Sequence, residues 1–280
     1  MPSAIFIWSI PRTVSLEGAF SLRSDAVVES DHLHPGISNE YEAIEALQRH
    51  ISNAFNCTKN VYIAKEITSN APLANYPPIN EKMDELISKF EHVILVHDPL
   101  ESAVSIKEGG GSCSLEDDDR GFEQAYELKT RIMKVTGKMP MVIDASVDLT
   151  NDLNKTLFKI CSHAGISFDE SMSIWGKSSG ISRTLARLRG WSEDNLVALE
   201  EKERATTSFS YPKPNFRKDE SVVKFAVAYQ PYYEAILSRN LVSLPQSTTG
   251  WAPNAAVLGG VMLLNMGIVY SAFLTAMQAV

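Results

Sequence analysis

Apolar residues in this chain come as short unbroken runs, separated by longer stretches in which they recur every three or four positions. The runs are residues 5–10 (IFIWSI), 61–64 (VYIA), 92–96 (HVILV) and 141–143 (MVI). Each is too short for a helix, rich in β-branched or aromatic side chains, and lacks the alternation of a half-exposed strand, so each predicts a buried strand. A weaker run at 26–29 (AVVE) predicts another. The periodic stretches predict helices over 15–22, 39–55, 80–90, 99–107 and 121–135. A further helix is expected over 151–164, capped by Thr150 or Asn151 and stopped by Gly165. A last one covers 219–237, where Pro231 predicts a break into two. Strands alternating with helices define an α/β fold with a mostly parallel central sheet flanked by helices. Residues 178–210 read as polar and helical or irregular, and GGGSCSLEDDD at 109–119 as a solvated acidic loop.

Composition narrows the function classes. The 26 basic residues are outnumbered by 34 acidic ones, for a formal charge of -8, which argues against a nucleic-acid binder relying on broad phosphate attraction. A local cationic pocket is still compatible with that balance. Cys57, Cys113 and Cys161 are too few and too scattered for a disulfide framework or a zinc site, so no metal and a reducing, cytoplasmic setting are expected. The apolar start runs into Pro11-Arg12 without a cleavage-like pattern, so no secretory leader is expected. Residues 252–280 contain no charged side chain, and about 20 apolar residues suffice to cross a bilayer. The expected organisation is therefore a domain over 1–250 and a tail over 251–280. In that tail a helix over about 255–279 anchors the protein in a membrane, with Trp251 at the interface. The same all-round apolar pattern also fits a helix docked in a groove of its own domain or of a second subunit.

In open α/β sheets ligands bind beyond the carboxyl ends of the strands. The first strand ends in Pro11, Arg12, Thr13, Val14 and Ser15; the strand at 61 runs into Lys65 and Glu66; the strand at 92 runs into His97 and Asp98, with Ser102 and Ser105 following. A strand-to-helix turn offers backbone N–H groups, Arg12 a forked cation, and Thr13 and Ser15 hydroxyls: together, a phosphate cradle. The same residues also read as a plain helix start capped by Ser15 or Thr13. The pattern G-x-x-x-x-G-K-[ST] is absent, which weighs against a nucleotide kinase.

AIFIWSIPRTVS resembles the 5'-phosphosulfate loop of the P-loop sulfotransferase superfamily, in which a strand leads into a proline, a basic residue and a Ser/Thr-rich turn. HVILVHDPLESAVS is similar to that superfamily's second nucleotide motif: Asp98, Pro99 and Ser105 match it, and His97 stands where the motif has arginine. VYIAKE and MVIDASVDLTND followed by LFKICSHAGISFDESMSIW resemble its bacterial and plant-type branch, so that the likeness spans roughly residues 4–235. The resemblance implies a three-layer P-loop-like fold, to which the apolar tail would add a C-terminal helix. It also implies transfer of a sulfuryl group from 3'-phosphoadenylyl sulfate (PAPS) to a hydroxyl or amine of a small acceptor, without a metal. Arg12, Thr13, Val14 and Ser15 would hold the 5' side and Lys65 the transferring group, with Glu66 as base and His97 and Ser105 facing the 3'-phosphate. Leu16 replaces a further hydroxyl of the family loop.

Plainer accounts exist for the same residues. Lys65 and Glu66 also read as a solvated pair, and His97-Asp98 as a helix start with Pro99 as its first residue. Trp175, Trp191 and Tyr232-Tyr233 read as core or interface residues more than as an acceptor pocket. Arg183, Arg187 and Arg189 read as a solvated face that is also able to bind an anion. With His97 and Leu16 as departures, a sulfotransferase-fold scaffold that no longer transfers sulfate is the alternative function.

Overall fold

The computed structural model describes residues 3–10, 16–30, 40–70, 77–108, 115, 120–149, 151–174 and 218–240. Its strands are β1 (Ser3–Ser9), β2 (Ala26–Ser30), β3 (Val61–Ile67), β4 (Glu91–Val96) and β5 (Met141–Asp144). Its helices are α1 (Glu17–Phe20), α2 (Glu40–Asn56), α3 (Pro77–Lys89), α4 (Pro99–Glu108), α5 (Arg120–Thr136), α6 (Leu153–His163) and α7 (Glu220–Leu237). All strand pairs are parallel, in the spatial order β2-β3-β1-β4-β5.

Both faces of the sheet are covered, as the unbroken apolar runs require. On one face Phe6, Trp8, Tyr62, Ala64, Ile94 and Val96 pack with residues of α2, α3, α4, α5 and α7. On the other, Ile5, Ile7, Ile63, Val93, Leu95 and Ile143 pack with residues of α1 and α6. The result is the three-layer α/β architecture expected from the sequence. Steps toward β5 in the sheet run through helices on the first face, and the step from β1 back to β2 runs through α1 on the second. One crossover hand throughout requires this division.

Several boundaries differ from the sequence reading, each for a local reason. The helix expected over 15–22 is the single turn α1, after which the chain is drawn inward at Arg23, a residue only 4% exposed. Its guanidinium forks onto Asp25 at 3.0 Å and donates to the Ser167 carbonyl at 2.6 Å. α3 begins at Pro77, because the first turn of a helix needs no proline N–H. α6 is capped by Asp152, whose Oδ1 accepts from Lys155 N at 2.9 Å, in place of Thr150 or Asn151. Gly165, at φ +67°, follows its C-terminus as expected. β3 runs three residues beyond the apolar stretch and takes in Lys65 and Glu66.

The break expected at Pro231 does not occur, and α7 is one helix. Pro231 lies on the exposed side, where water can satisfy the carbonyl it leaves without a donor, while Tyr233 and Ile236 beyond it are buried in the core. Among the described residues no helix is long and apolar enough to cross a membrane. The tail over 252–280 falls outside them, as do residues 178–210 and Trp175, Trp191, Arg183, Arg187 and Arg189.

Candidate functional site

The strand order reverses between β1 and β4: the chain leaves β1 toward β2 and leaves β4 toward β5. The carboxyl ends of two such neighbours, with connections departing in opposite directions, bound the crevice in which open α/β folds bind ligands. Ile10 N donates to Leu95 O at 3.1 Å, so the two strands remain paired to the point where both motifs begin. Arg12, Thr13, Val14 and Ser15 lie outside the described residues. Leu16, which follows them, is 1% exposed and packs with Ala19 and Phe20. Its apolar side chain in place of a hydroxyl thus serves the core.

Lys65 and Glu66 both belong to β3, and neighbours on a strand point to opposite faces. Glu66 lies with Tyr62 and Ala64 on the α2 side and is fully buried; its Oε1 is 2.7 Å from His50 Nε2. His50 Nδ1 is 3.3 Å from the Tyr62 hydroxyl, which donates to Glu29 at 2.6 Å, and Asn53 donates to both oxygens of Glu29. Burial and the Glu29 bond push the Tyr62 phenol strongly up, so it stays a donor. This buried line of groups ties α2 to β2 and β3. Lys65 is 8% exposed and follows Ile63 on the other face. The two residues therefore do not form the side-by-side pair that their adjacency suggests.

A second network joins the ends of β4 and β5. Asp98 Oδ1 accepts from Leu100 N at 2.9 Å and Glu101 N at 3.2 Å, capping α4, with Pro99 as its first residue. Asp98 N donates to Ser146 Oγ at 2.9 Å, and Ser146 N donates to Asp144 Oδ1 at 2.9 Å. Tyr233 of α7 donates to Asp144 Oδ2 at 2.5 Å. Burial, reinforced by that bond, holds the Tyr233 phenol far above its usual range. His97 lies at the end of β4, half-buried, with Nδ1 3.5 Å from Ser102 Oγ. Burial lowers its pKa, while Asp98 and Asp144 pull it back up. Ser105 lies one turn further along α4 and is half-buried.

The structure thus brings His97, Asp98 and Ser105 to the β4 end, beside the end of β1 that leads into the Arg12 turn. The sequence reading missed Asp144 and His50. Asp144 was legible as the polar residue that follows MVI in the sequence, as Lys65 follows VYIA and His97 follows HVILV. His50 falls in register with Ala43, Ala46, Leu47, Ile51 and Ala54, the buried stripe of α2. Tyr233 joins the core, in line with its plainer reading.

No family model and no curated protein matches the chain. Among solved structures it is similar to the sulfotransferase domain from the curacin biosynthetic pathway, at 15% identity and TM-score 0.42, over 61% of this chain and 77% of that one. It is similar to a sulfotransferase from Alicyclobacillus acidocaldarius, at 17% identity and TM-score 0.40, over 60% of this chain and 82% of that one. A third is the sulfotransferase domain of the Synechococcus PCC 7002 olefin synthase, at 17% identity and TM-score 0.44, over 87% of this chain and 96% of that one. Similarity of this degree carries no residue roles. Among the described residues no group of three or more His, Cys, Asp or Glu side chains is placed to hold a metal ion.

Proposed function

We propose that the protein transfers a sulfuryl group from PAPS to a hydroxyl or amine of a small acceptor. The observation that supports this reading is the pairing of β1 with β4 at the reversal of strand order, so that the two strands leading into PRTVS and HDPLESAVS, the stretches resembling the two nucleotide motifs, end side by side. In this reading Arg12, Thr13, Val14 and Ser15 cradle the 5'-phosphosulfate, Lys65 offsets charge on the transferring group, and Ser105 contributes to the 3'-phosphate side. Glu66, sealed against His50, holds α2 on the sheet. That burial weighs against the base role expected of Glu66, while His97 stays with Ser105 on the 3'-phosphate side.

Calorimetric titration with adenosine 3',5'-bisphosphate tests the proposal, followed by transfer from labelled PAPS to a panel of alcohols, phenols and amines. Saturable binding with label transfer is expected. No heat at millimolar ligand, together with no transfer, rejects the function.

A further inference from the structure

His97 and Ser105, read above as the 3'-phosphate side, lie on one short segment, the end of β4 and the first turns of α4. A phosphate is recognised there only as well as that segment is held in place. A line of directed hydrogen bonds holds it from α7. The Tyr233 hydroxyl donates to Asp144 Oδ2 at 2.5 Å, and the other oxygen of that carboxylate accepts from Ser146 N at 2.9 Å. Ser146 Oγ accepts from Asp98 N at 2.9 Å, the amide that follows His97. Asp98 Oδ1 then accepts from Leu100 N at 2.9 Å and Glu101 N at 3.2 Å, which fixes the first turn of α4.

Tyr233 and Asp144 are 8% and 7% exposed, so their bond is shielded from competing water. The phenol has one proton, committed to Asp144, and its ring packs in the core, so Tyr233 acts on a ligand only through the groups it holds. Without that hydroxyl a buried oxygen of Asp144 loses its donor, and a carboxylate that turns to find another releases Ser146 and, through it, Asp98. The ligand would then have to order the start of α4 itself, at a cost in affinity.

We infer that Tyr233 is a positioning residue for the 3'-phosphate, holding the β4–α4 segment in its receiving form through Asp144 and Ser146; the inference rests on the function proposed above. The residues assigned to the 5' side, and Lys65 on β3, are not members of this line. A fault in it is therefore felt by a nucleotide that carries a 3'-phosphate and hardly at all by one that lacks it.

The test measures calorimetric affinities of wild type, Tyr233→Phe and Tyr232→Phe for adenosine 3',5'-bisphosphate and for adenosine 5'-phosphosulfate. Tyr232 is the control, a half-buried neighbour on the same helix whose hydroxyl bonds with Glu123 of α5. Tyr233→Phe should bind the bisphosphate about tenfold more weakly and the phosphosulfate within about twofold of wild type. Tyr232→Phe should hold both affinities within about twofold. Equal losses for the two nucleotides, an unchanged bisphosphate affinity in Tyr233→Phe, or the same selective loss in Tyr232→Phe would each overturn the inference. Should Tyr233→Phe not fold, Ser146→Ala, which removes the acceptor of Asp98 N, decides by the same two affinities. A wild type that binds no bisphosphate rejects the proposed function and this inference with it, whereas a wild type and a Tyr233→Phe that bind equally well reject the inference alone.

Discussion

Acidification should destabilise the fold through His92, a residue with no role in the proposed chemistry. His92 lies on β4, 3% exposed, between two fixed partners. Trp8 Nε1 donates to its Nδ1 at 3.1 Å, and its Nε2 meets the Ile87 carbonyl at 3.0 Å. An indole nitrogen only donates, and a carbonyl only accepts, so the ring is fixed as the neutral Nε2–H tautomer. A second proton on Nδ1 would face the indole N–H, donor against donor. Burial accordingly lowers the pKa from 6.5 to about 4. The folded pKa is depressed, so the unfolded chain takes up a proton that the folded chain refuses. Stability is complete above pH 6.5 and is lost as pH falls from 6.5 toward 4. Linkage with these two values gives a loss of about 2 kcal/mol between pH 7 and 5, and about 3 kcal/mol by pH 4. Urea unfolding followed by far-UV circular dichroism at several pH values measures this, with His92→Asn separating the ring from other groups that titrate in the range. The variant should be less stable at pH 7 by about 1–3 kcal/mol, through imperfectly met partners, and should lose less between pH 7 and 5. Parallel losses in variant and wild type would refute the assignment.

Three further outcomes are expected. Lys129 is fully buried on α5 and donates to the carbonyls of Ala235, Ile236 and Ser238 at the end of α7, so Lys129→Met should cost about 2–4 kcal/mol in chemical denaturation by leaving those acceptors unmet. Asp98→Ala removes the α4 cap and should cost about 1 kcal/mol in the same assay; an unchanged midpoint would show that the cap is dispensable. Arg12→Ala should weaken bisphosphate binding in calorimetry more than Lys65→Ala, which should chiefly lower kcat; equal losses of affinity with unchanged turnover would contradict that division.

The sheet was legible because burial on both faces leaves a strong mark: four of its strands are uninterrupted apolar runs, and no helix could hide IFIWSI or HVILV. The end of β3 was less legible, because Lys65 and Glu66 resemble a loop until tertiary partners are known. His50 compensates Glu66 from a helix sixteen residues earlier in the chain. The strand end carrying His97 and Asp98 was legible as chemistry and as a helix start, but the partners around His97 were not. Asp98 turns inward to cap a helix, and the surroundings of His97 depend on Asp144 and on Tyr233, which is 89 residues further along the chain than Asp144. Local pattern cannot report a partner at that separation. Pro231 was misread for a related reason: propensity describes an isolated helix, while α7 is held by the core on both sides of the proline.

α7 also bears on the order in which the molecule can be made. Lys107 at the end of α4 pairs with Asp219 at 2.7 Å, Lys129 of α5 binds the last carbonyls of α7, and Tyr233 of α7 closes on Asp144 of β5. Each of these links spans roughly ninety residues or more. A chain emerging from the ribosome can pair all five strands before residue 219 is synthesised, yet it must wait with Lys129 unsatisfied and the α5 aromatics Phe122 and Tyr126 uncovered. Any N-terminal fragment ending short of Ser238 would be arrested in that state, exposing a sticky aromatic face to chaperones and to its own neighbours.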